Sequence, residues 1–113
     1  MDYSTAKSLI LIQGGPIDRP HDALLSRLSQ GKPPVPGQVT TILLALKVTF
    51  QALREAPEID RPLASALHLL STESRYLFDA GVQVGVDWPP LLNEDLNRIA
   101  AAVRSIFGDS WEA

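Results

Sequence analysis

Prolines and helix-start residues divide this chain into two similar halves, and that division limits the folds available to it. The tetrapeptide at 17–20, Ile-Asp-Arg-Pro, recurs at 59–62, and each copy precedes leucines at helical spacing. Diproline pairs at 33–34 and 89–90 each precede a further apolar run. Asp accepts hydrogen bonds from the free N–H groups of a helix start, and Pro tolerates the first turn. The pattern predicts two helix–proline corner–helix units.

The similarity of the halves has two possible origins, internal duplication and convergence. Apolar positions match after each diproline, among them Ile42 with Ile99 and Phe50 with Phe107. Shared helix-start chemistry would place Asp-x-Pro twice without common descent. Two units are also fewer than the three or more of a repeat array. Either origin predicts the same paired helices.

Hydrophobic periodicity predicts an all-α fold, a compact bundle of four to five helices. The expected helices cover 4–13, 21–29, 38–54, 60–80 and 93–107. In the first, Leu9 to Ile12 form an apolar run that could equally be a buried strand, but no second convincing strand is present to pair with it. Residues 81–86 follow the fourth helix as a loop.

One core is expected from the inward positions of these helices. We expect residues 1–108 to form a single helical domain, Trp88 to plug one end of its core, and residues 109–113 to be a flexible C-terminal tail. The fourth and fifth helices should direct inward the residues Leu63, Leu67, Leu70, Ser74, Leu77, Phe78, Leu96, Ile99, Ala100, Val103, Ile106 and Phe107.

Composition argues against several functions. The net charge is −3 and the ten Lys and Arg are scattered singly, which is unlike a nucleic-acid-binding surface. Cysteine is absent, so disulfides, thiolate catalysis and cysteine metal sites are excluded. Residues 1–4, Met-Asp-Tyr-Ser, lack the basic region of a signal peptide, and no apolar run approaches the ~20 residues that span a bilayer. We therefore expect a cytoplasmic protein with no membrane span and no cofactor.

A polar stripe on the fourth helix is the only arrangement that suggests catalysis. His68, Thr72, Arg75 and Asp79 lie opposite the leucine face together with Ser65. Histidine beside hydroxyls and an acid suits general base chemistry. However, no acid lies three or four residues from His68 to orient its imidazole, and a solvated helix face has the same composition. The solvated face is the favoured interpretation.

Two short motifs resemble ligand sites but have simpler explanations. Residues 13–16, Gln-Gly-Gly-Pro, lack the Lys-Ser/Thr of a phosphate loop, and a helix end accounts for them. Residues 32–36, Lys-Pro-Pro-Val-Pro, match a proline-rich ligand with a flanking cation, but a rigid corner between helices is favoured. No His-x-x-x-His pair or carboxylate–His ladder is present, so no metal site is expected.

Surplus apolar surface is the strongest functional signal. On the third helix, Leu44 and Val48 lie beside Thr41, away from the main apolar face. On the fourth, Leu69 and Tyr76 lie one heptad apart outside the leucine face. A helix buries two faces only if it is central in the bundle or if another chain covers the second face. If the third helix is not central, these five residues form a candidate interface.

Two stretches resemble a known group of proteins. Residues 33–40, Pro-Pro-Val-Pro-Gly-Gln-Val-Thr, and residues 88–96, Trp-Pro-Pro-Leu-Leu-Asn-Glu-Asp-Leu, are similar to a small family of cyanobacterial all-helical proteins. Some members carry the label dethiobiotin synthetase. This chain has no glycine-rich phosphate loop and is too short for that enzyme's α/β fold, so no catalytic residues are carried over. The resemblance implies a cyanobacterial, cytoplasmic protein.

Together these features predict a non-enzymatic protein–protein interaction or assembly module, with another protein or a second copy as its partner. The alternative is a small-molecule-binding protein or enzyme that uses the polar face around His68 and Arg75.

Overall fold

The computed structural model describes residues 1–16 and 18–112. Those residues form five α-helices and no strand, which confirms the all-α prediction. The run from Leu9 to Ile12 is helical. The helices are α1 Tyr3–Gly14, α2 Leu24–Ser29, α3 Gln38–Ala52, α4 Arg61–Gln83 and α5 Leu92–Gly108.

Four of the helices form a ring around the core. α1 and α5 each pack against both α3 and α4, so α3 and α4 lie diagonally across the bundle from each other. The short α2 packs against α4 and α1. The outward faces of α3 and α4 therefore point in opposite directions.

Most of the predicted apolar positions of α4 and α5 are buried, whereas Leu77, Phe78 and Ala100 are half-buried. Fully buried side chains include Ile42 and Leu46 of α3, Leu67 of α4 and Ile99 of α5. Phe107, which we predicted to face inward, is half-exposed. It lies on the last turn of α5, about 100° around the helix from the buried Ile106.

The end of α4 lies three residues beyond its predicted end, because Trp88 packs directly onto its backbone. The loop expected over 81–86 is helical as far as Gln83. A side chain at Gly81 would meet the indole of Trp88, with a Cβ only 2.5 Å from Cζ2. The indole Nε1 donates to the carbonyl of Phe78 at 3.0 Å. Trp88 thus closes this part of the core, as predicted.

The two Ile-Asp-Arg-Pro copies have different roles, which corrects the expectation that each starts a helix. Asp60 caps α4, since its carboxylate accepts from the N–H of Leu63. Asp18 has a positive φ of 56°, and α2 begins only at Leu24. There the side chain of Gln13 replaces a local cap, because its Oε1 accepts from the N–H of Leu24 at 2.7 Å. Ile17 lies outside the described residues.

α1 ends at the glycine pair as predicted, and Gly14 also has a role in tertiary packing. Neither Gly14 nor Gly15 has a positive φ. A Cβ on Gly14 would lie 2.6 Å from both the carbonyl oxygen of Ala66 and Cγ of Leu70. Gly14 therefore allows the end of α1 to approach α4 closely.

Residues 109–112 were expected to belong to a flexible tail, but in the structure they contact α3 and α5. Trp111 lies against Phe50 with ring centroids 5.1 Å apart. Asp109 pairs with Arg54 at 2.8 Å, between Oδ1 and Nε. The expectation came from Gly108 as the natural end of the fifth helix, whereas these contacts depend on Phe50 of α3 and on Arg54, which follows α3.

Candidate functional site

The polar stripe of α4 is not assembled into a site. Arg75 is directed toward α5, where Nη1 donates to Asn93 Oδ1 at 2.6 Å and Nη2 donates to Asn97 Oδ1 at 2.7 Å. Its guanidinium also lies 5.1 Å from the ring centre of Phe78. Asp79 stands at the edge of this network, 4.0 Å from Arg75 Nη1. Arg75 therefore holds α4 and α5 together.

His68 and Thr72 of the stripe face outward, whereas Ser65 is half-buried. His68 is exposed, seven residues and about 10 Å along the helix axis from Arg75. The hydroxyl of Thr72 donates to the backbone carbonyl of His68 at 2.8 Å, so it serves the helix itself. No group of three or more His, Asp or Glu suited to a metal ion occurs in the described part of the chain. This is the geometry of a solvated helix face.

The apolar candidates of α3 form a continuous surface stripe, which we call the α3 stripe: Thr41, Leu44 and Val48. Their spacing of three and four residues places them on one face. Thr41 is exposed, Leu44 is 50% exposed and Val48 is half-buried against the core. Leu44 would be covered if α3 were the central helix, so that alternative is wrong.

Leu69 and Tyr76 of α4 belong to a different surface. Tyr76 is 66% exposed and Leu69 is half-buried. Because α3 and α4 are diagonal neighbours, these residues face away from the α3 stripe. The sequence grouped five residues into one candidate interface, and the structure divides them between two sides of the bundle.

A groove between the two proline corners adjoins the α3 stripe, and sequence analysis missed it. Val35 and Leu91 are both exposed on its walls, Leu91 at 63%. Thr40 also lines the groove and lies one turn before Leu44. The corner groove is lined by Pro34, Val35, Gly37, Val39, Thr40, Pro89, Leu91, Leu92 and Asp95. The matching diprolines were the available signal, but only the fold shows that the corners meet.

The first proline corner is a fixed element and not a free proline-rich ligand. Gln38 Oε1 accepts from the N–H of Val35 at 3.0 Å, and its Nε2 donates to Gln13 Oε1 at 2.9 Å and to the carbonyl of Asp22 at 2.8 Å. Gly37 has φ 81°, a conformation that favours glycine. These bonds hold Val35 at the rim of the corner groove.

Among the described residues, the one acid that lines the corner groove is already paired. Asp95 Oδ1 accepts from Arg98 Nη1 at 3.1 Å, one helical turn away on α5. Its neighbours in the groove are mainly proline, valine and leucine side chains. The surface is therefore suited to apolar contact more than to acid–base chemistry.

The fold and this surface define the chain as a five-helix protein with an apolar groove open at its proline corners. Comparison with protein-family models, with curated proteins and with solved structures gives no match. The resemblance to cyanobacterial helical proteins therefore stays a prediction. No helix in the described residues combines the length and the apolar character needed to cross a membrane.

Proposed function

We propose that this chain is a non-enzymatic interaction module that binds another protein, or a second copy of itself, through the α3 stripe and the corner groove. The observation that carries the proposal is the position of Leu44. This leucine is half-exposed and lies one turn from a groove with exposed Val35 and Leu91 on its walls. Single exposed leucines are ordinary, whereas adjoining ones on a shaped surface are typical of contact sites.

The rigidity of the corner supports the same proposal. A preformed surface binds without the entropic cost of ordering its loops. Gln38 and Gly37 hold Val35 in place before any partner arrives. Fully burying one leucine contributes about 1.5–3 kcal/mol, so covering the remaining exposed halves of Leu44 and Leu91 contributes roughly 2–3 kcal/mol together. This free energy is too small for stable association by itself, so the rest of the groove must contact the partner as well.

The cytoplasmic location expected from the sequence is part of this proposal and is supported by the absence of cysteine. The alternative of a small-molecule site at His68 and Arg75 has less support, because the Arg75 guanidinium is engaged by Asn93 and Asn97.

Substitution of Leu44 tests the proposal. Leu44→Asp should abolish self-association or partner capture while leaving the helical circular dichroism unchanged, because the side chain is outside the core. Val84→Asp is the matched control, since Val84 is 79% exposed at the end of α4, away from the α3 stripe. Molar mass by size-exclusion chromatography with light scattering distinguishes the partners: twice 12.3 kDa indicates a second copy, and 12.3 kDa directs the search to capture of another protein.

Two results would contradict the proposal. In the first, Leu44→Asp unfolds the chain, which would place Leu44 in the core. In the second, Leu44→Asp and Val84→Asp have the same effect on association, which would mean that the α3 stripe has no special role.

A further inference from the structure

The far end of α3 carries a cluster of cations around an aromatic ring. Lys47 Nζ lies 5.8 Å and Arg54 Cζ lies 5.0 Å from the ring centre of Phe50, which is buried. Arg104 on α5 is linked to this cluster by Glu112 of the segment that follows α5. Three of the ten Lys and Arg of the chain thus gather where α3 and α5 end.

Residues 109–112, which we call the C-terminal segment, contact every member of this cluster. Asp109 Oδ1 accepts from Arg54 Nε at 2.8 Å, and Glu112 Oε1 accepts from Arg104 Nε at 2.7 Å. Lys47 Nζ lies 3.8 Å from the Trp111 ring centre, which is cation–π distance. Each side chain of the pattern acid–x–tryptophan–acid has a complementary partner.

The backbone of the segment is also held. The N–H of Glu112 donates to Ser105 Oγ at 2.9 Å, and the N–H of Ser110 donates to the carbonyl of Ser105 at 3.2 Å. Ser105 is fully buried, and its hydroxyl also donates to the carbonyl of Ala101. Asp109 takes up a left-handed conformation, φ 53°, that turns the chain back from α5 toward α3.

We propose that the ends of α3 and α5 form a binding site for an acidic peptide segment that carries a tryptophan, and that residues 109–112 occupy this site within their own chain. The site consists of Lys47, Phe50, Arg54, Arg104 and Ser105. It lies at the opposite end of α3 from the corner groove, and the proposal does not depend on the function proposed above.

The contacts make such binding displaceable. Both ion pairs are exposed and therefore weak and salt-sensitive. The segment is retained because its attachment to α5 gives it a high effective concentration, on the order of millimolar or more for a short link. A segment of the same chemistry from another molecule must compete with it and gains access when the resident side chains are removed.

The test uses the full chain without the resident Trp111 and Glu112 side chains, which we call the vacated chain, and a blocked peptide, Gly-Asp-Ser-Trp-Glu-Ala, as the probe. In the Trp111→Ala, Glu112→Ala chain, the peptide should give saturable amide shifts at the ends of α3 and α5 in heteronuclear NMR spectra. The wild-type chain should bind it at least about 10-fold more weakly, because its own segment competes.

Charge reversal within and outside the site provides the control. Adding Lys47→Glu to the vacated chain should weaken the peptide about 10-fold or more, since it replaces a cation–π contact by repulsion. Lys32→Glu makes the same change of net charge on the exposed first proline corner and should leave binding unchanged. A peptide with Ala in place of Trp should not bind.

Several results would overturn the proposal: no saturable shifts in the vacated chain, equal binding by the wild-type chain, or equal effects of Lys47→Glu and Lys32→Glu. If the vacated chain loses its helical circular dichroism, hydrogen exchange of the wild-type chain tests the proposal instead. The Glu112 amide should then be protected about 10-fold or more relative to the Lys47→Glu chain, and an unprotected Glu112 amide overturns the proposal.

Discussion

Replacing Gly81 with Ala should destabilise this protein, although Ala is the better helix former. Gly81 lies inside α4, buried under the indole of Trp88. A Cβ at this position would be 2.5 Å from Cζ2 and 2.8 Å from both Cε2 and Nε1 of Trp88. Core side chains are close-packed and do not tolerate such approaches, so the indole must move outward.

The displacement has costs that exceed the gain in helix propensity. Overpacking costs about 1–3 kcal/mol. Moving the indole weakens its 3.0 Å hydrogen bond to Phe78, worth about 1 kcal/mol. It also disturbs the stacking on Phe78 at 5.9 Å between centroids, worth about 0.5–1.5 kcal/mol. The higher helix propensity of Ala than of Gly stabilises the helix by about 1 kcal/mol. We expect a net loss of about 2 kcal/mol, which lowers Tm by roughly 8 °C in a chain of this length.

Urea denaturation followed by circular dichroism measures this loss, with Gly108→Ala as the matched control. Gly108 is the last residue of α5, and a Cβ there would meet nothing within 4 Å. Gly108→Ala should therefore be neutral or stabilising by up to about 1 kcal/mol. Adding Trp88→Phe to Gly81→Ala should cost less than the sum of the single changes, because the smaller ring makes room. The reasoning fails if Gly81→Ala is as stable as wild type or if the two changes are additive.

Three further changes test individual contacts. Thr49→Val should raise the free energy of unfolding by about 1 kcal/mol in urea titrations, because the Thr49 hydroxyl is buried without a partner; a loss would mean that the hydroxyl is bonded. Hydrogen bonds from the Thr5 N–H and hydroxyl hold the pKa of the Asp2 carboxyl below its ordinary value. The ionised Asp2 therefore stabilises the folded chain at neutral pH, and this stabilisation is lost as the pH falls through the lowered pKa. Asp2→Ala should therefore lower the urea midpoint at pH 7 and have progressively less effect below about pH 4, whereas the effect of Asp2→Asn should be small at pH 7. Arg75→Ala should lower Tm by several degrees, roughly 1–2 kcal/mol, while the exposed His68→Ala should leave Tm unchanged; equal effects would contradict the bridging role of Arg75.

Local chemistry was sufficient to predict most helices from the sequence. α3 and α5 carry apolar residues at helical spacing, so their existence and their buried faces follow from periodicity. The start of α4 at Asp60 follows from capping chemistry, since the required groups lie within one turn. The surplus apolar character of Leu44 was also visible, because it lies off the main apolar face of its helix.

The helix boundaries that the sequence did not predict depend on contacts between residues far apart in the chain. The identical tetrapeptides differ in role because Gln13, not a neighbouring residue, caps α2. α4 continues through Gly81 because Trp88 fills the space of the missing side chain.

The same holds for the candidate surfaces. The ring order places α3 and α4 on opposite sides, which separates Leu44 from Tyr76, and it brings the two proline corners together into one groove. Residues 109–112 follow α5 with no helical periodicity, and their place is set by Phe50 of α3 and by Arg54, which follows α3. Periodicity and capping act over a few residues, so the sequence determined the helices. Which helix faces pack together depends on contacts between residues far apart in the chain. Only the tertiary structure therefore decided which residues form the exposed candidate surfaces.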